Sequence, residues 1–247
     1  MLAFLGSVLV LGLRSVEGGI AYAQTSIGPR DSCLTSTIAA LPLIERPAPS
    51  GVGPLTLLLT GDGGWVKADA KVADGLVARG SPVLGVNMRS YLNGKRSPDQ
   101  VAFELQCVAR TYMERWQRER ILLLGYSRGA DIAPFVAARW PADLRQRVNL
   151  VALVAMSRAA NFHFHLLDLV HHSDRADDVP IAPELERLRG LNVICVYGAG
   201  DGDNGCADAD STLVRRFARP GGHRLTGGFD AIVDLLAPSL TPSPGSS

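Results

Sequence analysis

Ile121-Leu122-Leu123-Leu124-Gly125-Tyr126-Ser127-Arg128-Gly129-Ala130-Asp131 is the stretch that decides how this chain is read. Four consecutive apolar residues, Ile121 to Leu124, describe a strand buried on both faces, as in the centre of a mostly parallel sheet. Gly125-x-Ser127-x-Gly129 follows at once, and a helix-compatible run from Ala130 to Arg139 follows that. Strand, Gly-x-Ser-x-Gly and helix in that order describe a nucleophile elbow. The turn is sharp enough that Ser127 is expected in a strained backbone conformation, and side chains at 125 and 129 would collide with neighbouring backbone. Such a turn lifts the serine hydroxyl above the sheet, at a helix N-terminus whose dipole favours nearby negative charge.

Outward from the elbow, further buried strands are predicted at Leu55–Thr60, Pro82–Val86, Val148–Met156 and Leu191–Tyr197. Helices are predicted at Ala68–Arg79, where Gly80 is a natural cap, at Pro98–Trp116, and at about Gly228–Leu236. Strands and helices alternate with no repeat and no break in composition. Residues 54–237 therefore read as one α/β domain, a doubly wound, mostly parallel sheet with helices on both faces. Residues 24–53, rich in Ser, Thr, Pro and Gly, read as a linker with an edge strand at Thr35–Ala40. The Pro/Ser-rich segment 238–247 reads as a disordered tail. The irregular stretch Ala159–Pro183 sits between two core strands, where this architecture commonly carries a lid.

Composition narrows the class. The chain has 247 residues, 47% hydrophobic and 20% charged, with a net charge of +1. That balance suits a globular domain and implies no bulk attraction to nucleic acid. Leu2 to Leu13 is an apolar run, and Ala21-Tyr22-Ala23 before Gln24 is a small-x-small cleavage site, so residues 1–23 read as an export signal. Four cysteines, Cys33, Cys107, Cys195 and Cys206, suit two disulfides in an exported chain. Three pairings are possible. Cys195 with Cys206 closes a short loop and would leave Cys33 with Cys107.

A serine hydroxyl is a poor nucleophile until a base takes its proton, so Ser127 needs a histidine oriented by an acid. In this architecture the chain order is Ser, acid, His. His223 alone among the histidines lies beyond the last predicted strand, in Arg219-Pro220-Gly221-Gly222-His223. The loop after the Cys195 strand offers Asp201 and Asp203, and both stand as candidates for the acid. An oxyanion site needs two preset backbone N–H groups. Arg128 supplies one, and the loop Thr60-Gly61-Asp62-Gly63-Gly64-Trp65 supplies the other at Asp62. As a phosphate loop the same segment lacks Lys-Ser/Thr and a full Gly-x-Gly-x-x-Gly, and no cofactor is called for. His163, His165, His171 and His172 cluster without the spacing of a metal site. Asp131, on the first turn of the elbow helix, reads as a complement to the helix dipole.

Several segments together resemble the bacterial VirJ and AcvB virulence proteins. They are Thr60 to Trp65, Gly85-Val86-Asn87 through Tyr91 to Lys95-Arg96-Ser97-Pro98, Gly125 to Asp131, Leu153 through Ser157-Arg158, Tyr197-Gly198 to Asp203 and Cys206, and Gly221-Gly222-His223. Arg128 departs from the bulky apolar residue familiar at its position, and Gly200-Asp201-Gly202 is less acidic than the family. The resemblance implies a periplasmic protein of α/β-hydrolase fold. It links the chain to hydrolysis of aminoacyl-phosphatidylglycerol, chiefly lysyl-phosphatidylglycerol, with transient contact at a membrane surface. In that reading Gly63, Trp65 and Arg96 adjoin the substrate, Asp62 or Asp69 meets its ammonium group, and Arg128 or Arg96 its phosphate. The alternative is a hydrolase fold kept as an accessory that binds exported or secretion-system proteins, and retention of Ser127, an acid and His223 favours the enzyme.

Overall fold

The elbow strand lies at the heart of a seven-stranded sheet. The computed structural model describes residues 33, 38–49, 51–164, 176–226 and 230–241. In chain order the strands are β1 (Leu43–Arg46), β2 (Leu55–Leu59), β3 (Val83–Val86), β4 (Ile121–Tyr126) and β5 (Val148–Val154). A short ribbon follows, β6 (Ala159–Ala160) with β7 (Val179–Pro180), and then β8 (Val193–Gly198) and β9 (Arg215–Arg219). The sheet order is β1-β3-β2-β4-β5-β8-β9. Within this sheet, among the described residues, β1 pairs antiparallel with β3 and the other pairs are parallel.

Alternation along the strands feeds two cores. Leu57, Leu59, Ile121, Leu123, Val151 and Leu153 face one layer. That layer holds α3 (Pro98–Arg115) and α4 (Arg128–Arg139). Leu58, Leu122, Leu124, Ala152 and Val154 face the other, which holds α1 (Lys67–Val77) and α8 (Asp230–Leu236). Short helices α2 (Met88–Tyr91), α5 (Ala142–Arg145), α6 (Ala182–Glu186) and α7 (Gly205–Asp208) complete the described elements. Strands buried on both faces need such a run of aliphatic residues, and this is why β4 reads so plainly. α3 starts where the sequence says it should: the Ser97 hydroxyl accepts the Gln100 N–H at 3.1 Å and Pro98 opens the first turn.

Three readings change. The edge strand is Leu43–Arg46, not Thr35–Ala40, and Ile38 and Ala39 are helical. The segment expected as a tail is ordered at its start: Ala237–Ser239 form a 3₁₀ turn and Leu240 is buried in the α1/α8 core. β9 is absent from the sequence reading, because Arg-Arg-Phe-Ala-Arg carries the charge of an edge strand and no aliphatic run. Phe162, in the irregular stretch between two core strands, is core, edge-on to Phe135 at 5.1 Å. The export signal at 1–23 lies outside the described residues, as do His165, His171, His172, Leu166 and Leu167. Cys33 pairs with Cys107 and Cys195 with Cys206. Among the described residues no helix is long and apolar enough to cross a membrane.

Candidate active site

Every loop that matters leaves the C-terminal end of a parallel strand, on one edge of the sheet. β4 delivers Ser127, whose φ of 51° and ψ of −121° lie in the strained region expected of an elbow. The glycines around it are required by contact. A Cβ on Gly125 would stand 2.4 Å from Gly129 O, and one on Gly129 would stand 2.0 Å from Leu59 O. Helix α4 begins at the residue after Ser127, two residues earlier than the sequence suggests.

The loops after β8 and β9 deliver the candidate acid, Asp201, and the candidate base, His223. These loops are laced together by backbone: Ala199 N–H donates to Arg219 O and Gly200 N–H to Gly221 O, each at 2.9 Å. This lacing draws the two side chains together. Ser127 Oγ lies 2.8 Å from His223 Nε2, and His223 Nδ1 lies 3.0 Å from Asp201 Oδ2. Asp201 is almost fully covered, whereas the His223 ring stays partly open to solvent. The Asp203 carboxylate lies outside this line of contacts, while the Asp203 N–H donates to Asp201 Oδ1 at 3.3 Å. Its Oδ1 accepts Arg158 N–H at 3.2 Å and Arg158 Nη1 at 3.3 Å, so it ties the acid loop to the end of β5.

The loop after β2 rides on the elbow. A Cβ on Gly61 would come within 3.2 Å of Ser127 Cβ. Gly64, at φ 71°, turns the chain, and its N–H donates to Gly61 O at 3.0 Å. Asp62 follows Gly61 on this loop, and Arg128 follows Ser127. Their side chains meet, with Arg128 Nε 3.0 Å from Asp62 Oδ1 and Nη2 3.2 Å from Oδ2. The expectation that Asp62 meets a substrate ammonium and Arg128 a phosphate gives way to this internal pair.

Of the other residues expected at the substrate, Arg96 is engaged elsewhere. Arg96 gives Nη1 to both oxygens of Glu104 at 2.8 Å and Nε to Tyr91 O at 2.9 Å, and lies over the Tyr91 ring. Its charge is committed to α3. Trp65 packs its ring over Gly85, where a Cβ would stand 2.4 Å from the ring. Gly63 is exposed at the tip of the loop. Asp69 is buried in the first turn of α1, its carboxylate accepting Val66 N–H at 2.9 Å, and burial raises its pKa. Among the described residues no group of three or more His, Cys, Asp or Glu is placed to hold a metal.

Two supports were not legible in the sequence. Asn161 is buried, its carbonyl accepts Arg128 Nη1 at 3.3 Å, and its side chain binds Asp177 and Asp178. Asp131 is fully buried, with Oδ1 2.7 Å from Ser157 N–H. Burial pushes its carboxyl up to about 8, against the pull of the Ser157 N–H and the Arg128 charge. Its role goes beyond complementing a helix dipole, since it pins the elbow helix to the end of β5.

Solved structures share this architecture at low identity. Est1E from Butyrivibrio proteoclasticus is 14% identical, with a TM-score of 0.57 over 79% of this chain and 90% of that one. XC6422 from Xanthomonas campestris, described as an α/β serine hydrolase without a lid, is 17% identical, with a TM-score of 0.53 over 82% and 89%. An esterase domain from a Rhodothermus marinus protein is 14% identical, with a TM-score of 0.53 over 79% and 89%. These likenesses establish the α/β-hydrolase fold. None of the curated proteins matches. The model of the family described as bacterial virulence protein (VirJ) matches residues 54–242, well over half of the chain, and the chain belongs to that family.

Proposed function

We propose that this protein is a serine hydrolase that cleaves an ester, with Ser127 as nucleophile, His223 as base and Asp201 as the acid that orients it. One observation carries the reading: Ser127 Oγ, the two nitrogens of His223 and Asp201 Oδ2 form a continuous line of contacts at 2.8 and 3.0 Å. With Nδ1–H directed at Asp201, Nε2 presents its lone pair to the serine hydroxyl. Ser127 Oγ attacks the carbonyl carbon as its proton passes to Nε2. The oxyanion is stabilised by the N–H groups of Asp62 and Arg128. Collapse breaks the ester bond, and the leaving alkoxide takes the proton from Nε2. Water, deprotonated by the same nitrogen, then releases the acid and restores Ser127.

The substrate we propose is the aminoacyl ester of an aminoacyl-phosphatidylglycerol, chiefly lysyl-phosphatidylglycerol, in a protein exported to the periplasm. Membership of the VirJ family and two disulfides support this reading. An aminoacyl ester is activated by its neighbouring ammonium group, which suits a triad with modest binding contacts. The test is release of free lysine from vesicles of lysyl-phosphatidylglycerol in phosphatidylglycerol. Release by the wild type and not by Ser127→Ala is expected. Hydrolysis of simple esters with no lysine release would reject the lipid while keeping the hydrolase.

A further inference from the structure

The loop that faces Ser127 has little of its own to hold it still. Three of its four turn residues, Gly61, Gly63 and Gly64, have no side chain to pack, so beyond the Gly64 N–H to Gly61 O bond the side chains that hold it are those of Asp62 and of Trp65 against β3. Across from it, Arg128 begins the elbow helix and is buried to 3% exposure, an unusual place for a guanidinium. The two side chains meet as a fork: Nε to Oδ1 at 3.0 Å and Nη2 to Oδ2 at 3.2 Å, with Nη1 directed to Asn161 O at 3.3 Å. A planar guanidinium on a carboxylate fixes both distance and angle, which a single hydrogen bond does not. Arg128 thereby links the elbow, the β2–α1 loop and the start of the segment after β6.

We propose that the Asp62–Arg128 side-chain pair is the positioning device of the oxyanion site. The two residues assigned as oxyanion donors are locked to one another through their side chains, so neither can drift without breaking the fork. The backbone of each residue would face the developing negative charge while its side chain sets where that backbone stands. Stability alone is a poor reason for the pair, because a buried ion pair replaced by apolar groups of similar size often leaves stability unchanged or raised. Orientation is what an apolar contact would fail to supply. This inference rests on the serine-hydrolase reading above, and it assigns the side chains a positioning role, with no contact to substrate.

The test measures the rate of labelling by a fluorophosphonate probe and the steady-state hydrolysis of 4-nitrophenyl acetate. The proteins are the wild type, Arg128→Met, Arg128→Lys, Asp62→Asn and the double variant Asp62→Leu/Arg128→Met, each checked for fold by circular dichroism. Misplacing a donor by about 1 Å is expected to lower kcat and the labelling rate about a hundred-fold in Arg128→Met, with KM moving less than about threefold. Arg128→Lys keeps the charge but loses the fork, and is expected to recover little of the rate. In the double variant the losses should overlap, giving a rate close to that of the worse single variant. If a single variant does not fold, the double variant decides, since it leaves no buried charge unpaired. A folded Arg128→Met or double variant labelling within about threefold of wild type would overturn the proposal, as would losses that multiply in the double variant. A wild type that does not label at all would instead overturn the hydrolase reading on which the proposal rests.

Discussion

The carboxylate of Asp201 lies 3.0 Å from His223 Nδ1, while Asp203, two residues on, turns its own carboxylate to Arg158. Two aspartates that look equivalent in a Gly-rich loop are separated by the backbone bond from Gly200 N–H to Gly221 O, which brings the first of them under the histidine. Asp201→Asn is expected to lower kcat about ten-thousand-fold, because the wrong imidazole tautomer is then favoured. Asp203→Asn is expected to lower it less than about tenfold, through a looser acid loop. Hydrolysis of 4-nitrophenyl acetate by the two variants distinguishes these outcomes, and the reverse order would give Asp203 the role assigned to Asp201.

Gly129 sets the closeness of the elbow to β2. Since a Cβ there would stand 2.0 Å from Leu59 O, Gly129→Ala must displace the backbone of a central strand or of the elbow itself. A loss of more than about 4 kcal/mol in unfolding free energy is expected. Urea denaturation followed by circular dichroism checks it, and a midpoint equal to that of wild type would contradict the packing described.

The Cys195–Cys206 disulfide spans 11 residues and encloses the loop that carries Asp201. Replacing both cysteines by alanine is expected to cost about 2–3 kcal/mol by loop-closure entropy. Activity should fall as well, because the acid loop loses its tie to α7. A variant as stable as wild type with kcat unchanged would show that backbone lacing alone holds Asp201.

Asp131 makes stability depend on pH. Its folded carboxyl is pushed up to about 8 from an ordinary value of 3.8, mainly by burial, with Asp203 and Asp62 adding repulsion and Arg128 opposing. Between those values the folded state holds a proton that the unfolded state has released. The group's contribution is therefore fully present below about pH 4 and is lost as pH rises through about 8. Asp131→Asn removes this dependence while keeping an acceptor for Ser157 N–H. The melting temperature of the variant relative to wild type should rise from pH 5 to pH 8, and a constant difference would contradict the shift.

Much of this architecture was legible in the sequence because buried parallel strands announce themselves. Ile121–Leu124 and Leu55–Leu59 are aliphatic runs that no exposed element would carry, and the glycines at 125 and 129 have no alternative at such close contacts. The serine, the histidine and a choice of two acids followed from chain order. What was not legible depends on tertiary pairing. β9 is an arginine-rich edge strand whose partner, β8, decides its conformation. The commitment of Arg96 to Glu104 and of Arg128 to Asp62 needs residues 8 and 66 positions apart to meet, and side-chain type says nothing of that.

Intact-mass measurement after reaction with a fluorophosphonate probe, with the modified peptide located by fragmentation, tests the central claim most directly. The probe reacts with a serine whose base and oxyanion site are assembled. One adduct per chain on Ser127, absent from Ser127→Ala and reduced to background in His223→Ala, is the predicted result. A folded wild type that takes no adduct, or that takes it equally without His223, would contradict the assignment of Ser127 and His223 as nucleophile and base.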